Sequence, residues 1–489
     1  MRKMGKWMFS FIHQSWFLVA VCVGIVIGAI LGMVFRVNYF GSFYWVLSSV
    51  ALFIIGYLRP RAVFMVLMVM VGMVLAFFRI TTELHGEDYI RGLLGYDVIV
   101  SGIVAGDPEV EEGGVKYKIV DLEFGEERMR ATGSIFVMGD GNSEGLMRED
   151  KIVLSGRLEN GFGTFVGSMY RPKALKWERA EPGSWVLKVR NWFAGRVFSL
   201  ISEPEVKLGL SYLLGMKAGL PEELEEKLRV VGLTHIVVAS GAHLAILVEI
   251  ARKIFGKLSR MMGLLASFIF IVFFMAMVGW TPSILRAGIM TILSLLAWYS
   301  GREFAPWRII LIVMAATLMI NPGFMIDMGW QLSFASYAGI MIIAPRMTKY
   351  FYGVKRPGFM GSMIIATVAA TIMTLPIILY HYGMVSLISV VANLLILPTL
   401  PYAMGLVFLT GVFVGMPVIS AVISWGAEML LKYHIMIVSW FGEMQQFLVE
   451  IPKYQMWVFG IYVLVFVILI MVIFGKYRKR SCYNNKYEQ

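Results

Sequence analysis

The sequence predicts a polytopic α-helical membrane protein of about twelve spans with one small β-barrel inserted near its N-terminus. Three observations predict it. Hydrophobic residues make up 58% of the chain and charged residues only 16%, against roughly half and a quarter in soluble proteins. Several apolar runs approach or exceed the ~20 residues that cross a bilayer as a helix. Between 96 and 177, in contrast, short alternating runs are separated by Gly, Asp and Asn, the pattern of strands and turns.

Three apolar runs open the chain, Trp16–Phe35, Phe43–Leu58 and Val63–Phe78. Arg2, Lys3 and Lys6 precede the first, which is long and shows no small-residue cleavage site, so it reads as an uncleaved helix. Arg59 and Arg61 separate the second from the third. With both basic groups in the cytoplasm, the N-terminus is cytoplasmic and the segment after Phe78 lies outside. Segment 1–80 is accordingly a three-helix anchor.

The segment from Tyr96 to Trp177 reads as five strands: 98–104, 116–120, 133–137, 151–158 and 164–166. That number and spacing predict a small antiparallel barrel within 81–180. From Gly86 to Ala180 there are 12 Lys+Arg against 17 Asp+Glu, so the +12 net charge of the chain resides elsewhere, largely in short loops between apolar runs. The positive-inside rule produces such a distribution without nucleic acid, and basicity by itself carries little argument for DNA binding. Residues 181–205 contain an amphipathic helix, with Trp185, Val189, Trp192, Phe193, Val197 and Leu200 on one face and Lys188, Arg190 and Arg196 off it. This suits a helix lying in the membrane interface or one packed on the protein.

Beyond it, Leu208–Ile250 is apolar at both ends, with a short charged helix at 221–231 and then His235, Ser240 and His243. Ionisable groups at membrane depth are costly and face a cavity or the bundle interior. Either histidine alone fits a buried group satisfied by neighbouring helices. Together with Ser240 and Gly241 in nine residues they favour a functional lining. Further apolar runs follow at 262–278, 283–298, 309–320, 332–343, 364–379, 387–398, 404–414, 418–438 and 457–474. The basic loops Arg252–Arg260, Arg302–Arg308, Arg346–Arg356 and Lys476–Arg480 all fall on the cytoplasmic side if two of the three runs between Leu387 and Val438 span. Both termini are then cytoplasmic. The membrane domain is 206–475, and 476–489 is a basic tail.

Four ordered motifs carry a resemblance. The first is Gly232, His235, Ser240, Gly241 and His243; the second is Gly279-Trp280-Thr281-Pro282-Ser283 running to Arg286 and Gly288. The third is Asn321-Pro322 with Asp327 and Gly329-Trp330-Gln331-Leu332-Ser333, and the fourth is Leu375-Pro376 with His381, Gly383, Ser386 and Asn393. In these the chain resembles the ComEC family of bacterial DNA-uptake channels, with Trp330 and Ala242 as mild departures. The resemblance implies an OB-like outer domain and a competence-type channel in the cytoplasmic membrane, with single-stranded DNA as cargo. It also implies a separate DNA receptor, motor ATPase and nuclease as partners, and contact with membrane lipid. No P-loop and no clustered His metal motif is present, so no ATPase or nuclease activity and no cofactor is expected. OB barrels bind single strands through basic grooves and exposed rings. Here the domain is acidic, and Tyr117, Phe136 and Phe165 are platform or core candidates.

His235, Ser240, His243, Arg286, Gln331, Ser333 and Asn393 are expected to border one path, with Arg286 suited to phosphate through its planar fork. The prolines at 282, 322, 376, 398 and 401 are expected to break helices around it. Two other functions fit the residues: a transporter of another anionic polymer, and an intramembrane hydrolase using Ser240 with His243 or His381. The latter lacks the first glycine of a G-x-S-x-G elbow and a carboxylate to orient the base.

Overall fold

The computed structural model describes residues 15–35, 60–111, 114–125, 129–140, 145–179, 185–216, 219–237, 241–301, 305–353 and 355–450. The apolar runs at 43–58 and 457–474, the basic tail and Ser240 lie outside the described residues.

Helices α1 (Ser15–Phe35) and α2 (Pro60–Gly92) run parallel. Their contact is made by glycines four residues apart, which let two backbones approach closely in lipid. A Cβ on Gly24 would sit 1.9 Å from the Val69 carbonyl oxygen, and one on Gly72 would sit 2.1 Å from that of Val21. Gly28 and Gly32 continue the line along α1 against Met73, Phe77 and Ile80. This anchor packs on a later helix, α10 (Pro306–Ile320). Arg79 on α2 donates to the carbonyls of Met319 (3.2 Å) and Ile320 (2.9 Å) at the end of that helix, and pairs with Glu83 at 2.9 Å. A guanidinium there satisfies carbonyls that no helical N–H reaches.

The last turn of α2 feeds the β domain: β1 (Asp97–Val104), β2 (Glu109–Glu111), β3 (Gly114–Phe124), β4 (Met129–Ala131), β5 (Ile135–Gly139), β6 (Lys151–Arg157), β7 (Glu159–Asn160), β8 (Gly167–Tyr170) and β9 (Lys173–Glu178). The central strand β3 alternates buried and half-exposed positions along most of its length, as a sheet with one packed face requires. The sheet runs β7-β8-β5-β3-β1-β6-β9 and does not close, which corrects the expected barrel. Ile90, Leu93 and Leu94 at the end of α2 join the core that the sheet wraps. A helix end thus fills the space that mutual strand closure would otherwise cover. The expected strand at 164–166 is a turn, and β8, which follows it, pairs parallel with β5.

The remaining helices are α3 (Trp185–Phe198), α4 (Glu205–Leu214), α5 (Glu222–Val231), α6 (Thr234–Val237), α7 (Gly241–Phe255), α8 (Arg260–Val278), α9 (Pro282–Tyr299), α10 (Pro306–Ile320), α11 (Met328–Ala338), α12 (Ala344–Tyr352), α13 (Phe359–Tyr382), α14 (Ser389–Ile396), α15 (Leu400–Phe413) and α16 (Pro417–Gly442). A short β10 (Met384–Ser386) pairs antiparallel with β11 (Leu448–Glu450). Among the described residues six helices are long and apolar enough to cross a membrane, α1, α2, α8, α9, α13 and α16, and the α14–α15 pair makes a seventh if counted as one span. Helix α10 is shorter and equally apolar.

Helix α3 is rotated from the predicted face, keeping Phe193 and Val197 against the core and turning both tryptophans out. Val186, Arg190, Ala194 and Val197 are buried, and Trp185 and Trp192 point outward. The reason is Arg190, drawn inward by a carboxylate of the β domain. Pro376 also departs from expectation, since it sits inside α13 without ending it. The break between α14 and α15, a bend of 47° containing Pro398, is held by Thr399 Oγ1, 2.8 Å from Nε2 of the buried His434.

Candidate functional site

The charged α5 ends at Gly232, whose φ of +77° belongs to the left-handed region that glycine adopts freely. A Cβ on it would lie 3.0 Å from the Cβ of Ser389, so the chain leaves α5 pressed against the start of α14. The one-turn α6 follows, and His235 Nδ1 lies 3.1 Å from the Gly232 carbonyl oxygen. A carbonyl only accepts, so Nδ1 carries a proton. Asn393 on α14 lies beside the same ring. The asparagine is 6% exposed and its Oδ1 has no hydrogen-bond partner among the described residues, whereas His235 is exposed. First and fourth motifs therefore meet, one residue open and the other buried behind it.

Helix α7 begins at Gly241, and there the first motif meets the second. A Cβ on Gly241 would be 3.4 Å from the Cβ of Ala287 and 3.7 Å from Arg286 Nη2. Arg286 lies one turn inside α9, which Pro282 starts. It is 7% exposed. Its Nη1 reaches Met290 Sδ at 3.4 Å and its guanidinium sits 5.8 Å from the Phe334 ring centre on α11. The Nε has no partner, and among the described residues no carboxylate forms an ion pair with this side chain. A buried charge without a counter-ion costs several kcal/mol. The environment instead offers soft, polarisable contacts, with Tyr337 of α11 nearby. His243, two residues into α7, is buried.

The third motif builds the start of α11. Asn321 Oδ1 accepts from the Gly323 N–H (2.8 Å), and Asp327 Oδ1 accepts from the Trp330 N–H (2.8 Å), a helix N-cap. Trp330 donates through Nε1 to Thr317 Oγ1 at 3.0 Å. These three residues thus hold a tight helix-to-helix turn. Gln331 does something else: Nε2 donates to the Met325 carbonyl (2.8 Å) and Oε1 lies 3.1 Å from His381 Nε2 at the end of α13. Ser333, half-buried, stands half a turn beyond.

Helix α7 packs on α9, α9 on α11, α11 on α13 and α13 on α14, and the α5–α6 corner returns to α14. The helices close a ring. Within it, residues 371–379 of α13 are partly accessible on every helical face, and on α11 only Trp330 and Phe334 are buried. Helix α13 as a whole is open to its surroundings, with Ile365 and Ala369 its buried residues. His235–Asn393, Arg286 and Gln331–His381 are three stations around that ring. Tyr337 and His381 belong to it although the sequence analysis leaves them off the path. His381 is signalled only by its motif, and Tyr337, beside Arg286, has no local signal.

Removing the Gln331 amide leaves a carbonyl and an imidazole without their partner, a loss of about 1–3 kcal/mol. Gln331→Leu is therefore expected to lower the thermal midpoint of the purified protein. His381→Phe added to it should cost less than it does alone. Strict additivity of the two midpoint shifts would show that the pair does not interact.

On the β domain, Tyr117 is core. Phe136 and Phe165 instead join Phe162 and Tyr170 in a surface group with ring centres 5.0–6.3 Å apart, the last two being 50% and 54% exposed. Lys118 Nζ lies 5.6 Å from the Phe165 ring centre. Burial pushes this ammonium below its usual range, and the charge of Asp327 on the membrane domain opposes the shift. The ring cluster thus stands close to the start of α11.

Fold and site together define a polytopic membrane protein that carries a β domain and brings polar groups of several helices together. The chain belongs to the Competence protein family, whose sequence model matches residues 212–476, more than half of it. It is similar to ComE operon protein 3 of Bacillus subtilis (strain 168), 25% identical over 210 residues. The match covers 42% of this chain and 26% of that protein, so it spans about a quarter of the relative's length. No solved structure matches the chain. The resemblance to the ComEC family is therefore confirmed, and with it a place among the membrane proteins of competence.

Proposed function

We propose that the chain is a conduit for single-stranded DNA across the cytoplasmic membrane, the helix ring being its path. The observation that carries this reading is Arg286, a buried guanidinium held against Met290 and Phe334 with no carboxylate ion pair among the described residues. A passing phosphate supplies the counter-ion that the protein does not. Single, spaced polar stations suit a long polymer, which must bind weakly enough to keep moving. The exposed rings of Phe162 and Tyr170 beside Lys118 offer bases a stacking surface near the mouth. In this reading the protein performs no chemistry, sits in membrane lipid, and works with a separate receptor, motor ATPase and nuclease. Another anionic polymer would use the same stations. Deletion of the protein should abolish entry of fluorescent DNA into the cytoplasm while leaving surface binding intact, and undiminished entry would refute the proposal.

The same reading places the β domain outside the cytoplasm, with both termini within. A cysteine replacing exposed Lys173, in a Cys22→Ser/Cys482→Ser background, should react with a membrane-impermeant thiol reagent in intact spheroplasts. Reaction only after permeabilisation would reverse the orientation.

A further inference from the structure

The turn between α8 and α9 belongs to the second motif, yet its own residues stand apart from the ring. Gly279 there has φ +109°, and a Cβ on it would lie 2.8 Å from Arg148 Nη1. Arg148 comes from the loop before β6. It is 8% exposed, and its Nη2 donates to the Ala276 carbonyl at 2.6 Å. Arg190 on α3, 5% exposed, grips Asp107 of the β1–β2 turn with two hydrogen bonds of 2.8 Å and reaches the Met277 carbonyl at 3.4 Å. Two guanidiniums from different parts of the chain thus meet the last carbonyls of one helix. There the helix dipole presents negative charge, and helical N–H groups are exhausted. Asp107 acts on both arginines: it binds Arg190 directly and its charge favours the ionised form of Arg148, against burial and the repulsion of Arg190.

We infer that Arg148, Arg190 and Asp107 form a latch that fixes the β domain to the α8–α9 turn, and that Gly279 is its receptor. Arg286 lies seven residues beyond that receptor, one turn into α9, so the latch sets the position of the outer domain and of the arginine station together. Arg148 is then a positioning residue for transit, a clause that rests on the proposed path. The latch itself does not. Its three members are largely withdrawn from solvent, so salt screens them little. Loss of Asp107 leaves two buried like charges facing each other, and loss of Arg148 leaves the Ala276 carbonyl without that donor.

The test uses full-length protein in lipid nanodiscs, free of native cysteines, with spin labels at Lys173 on the β domain and Tyr402 on α15. Both positions are exposed. The expected result is one narrow distance peak that Asp107→Asn and Arg148→Ala each abolish, while Arg148→Lys, which keeps the charge and one donor, retains part of it. Arg148→Lys also serves if a stronger variant fails to fold: its peak should be broader than that of the parent protein. A peak as narrow in Arg148→Lys and in every folded variant as in the parent overturns the latch. DNA entry is measured alongside. A broadened distribution with undiminished entry retires the positioning role and leaves the latch standing. Normal entry in Arg286→Gln retires the path, and the distance measurement still decides the latch.

Discussion

Arg286→Gln is expected to cut entry of labelled DNA roughly ten- to hundred-fold, the worth of one charge-assisted hydrogen bond of about 1.5–3 kcal/mol. Arg286→Lys should fall between the two, because it keeps the charge and loses the planar fork. The structure sharpens this expectation. An arginine retained as a structural anchor would hold a carboxylate or a row of carbonyls, as Arg190 and Arg79 do. Arg286 has a thioether and a ring. Removing its charge therefore removes a desolvation cost, and the glutamine variant should be at least as stable as the parent. The expected pair of results is transport lost with thermal midpoint kept. Normal DNA entry in a well-expressed Arg286→Gln protein would take this residue off the path.

Gly24→Leu is expected to abolish accumulation of folded protein. Its Cβ would fall 1.9 Å from the Val69 carbonyl oxygen, a backbone atom that cannot swing aside. The two helices must separate along the Gly24, Gly28 and Gly72 contact, and the cost exceeds the ~1–3 kcal/mol typical of an overpacked site. The separation also pulls Arg79 from the end of α10. Gly405→Leu on α15 is the matching control, since a Cβ there meets nothing within 4 Å. The measurement is the monodisperse fraction after extraction from membranes. Equal yields from the two variants would show that the close crossing contributes little.

Helix periodicity and the four motifs made the membrane class and the family legible. Amphipathic α3 shows where that reading stops. Its apolar stripe names a face, and the face that packs is the one holding Arg190, because Asp107 lies far off in sequence and next to it in space. The β domain repeats the lesson. Alternation located four of the strands, yet nothing in it discloses that Ile90 at a helix end fills the core and leaves the sheet open. Gly24, Gly28 and Gly32 form a four-residue repeat in the sequence, and only the packing shows which helix it meets.

From sequence alone follow the residues that cannot face lipid: His235, Arg286, Gln331 and Asn393 each stand in an apolar run, and hydrocarbon tolerates them only against protein or water. Tertiary structure decided what each of them meets. It set His235 against Asn393 and Gln331 against His381, left Arg286 without a carboxylate among the described residues, and gave Asn321 and Asp327 of the same motifs to turn-building. The physical reason is that polar groups in a low-dielectric interior are governed by partners within a few ångströms. Those partners lie on other helices, at separations that no local pattern encodes.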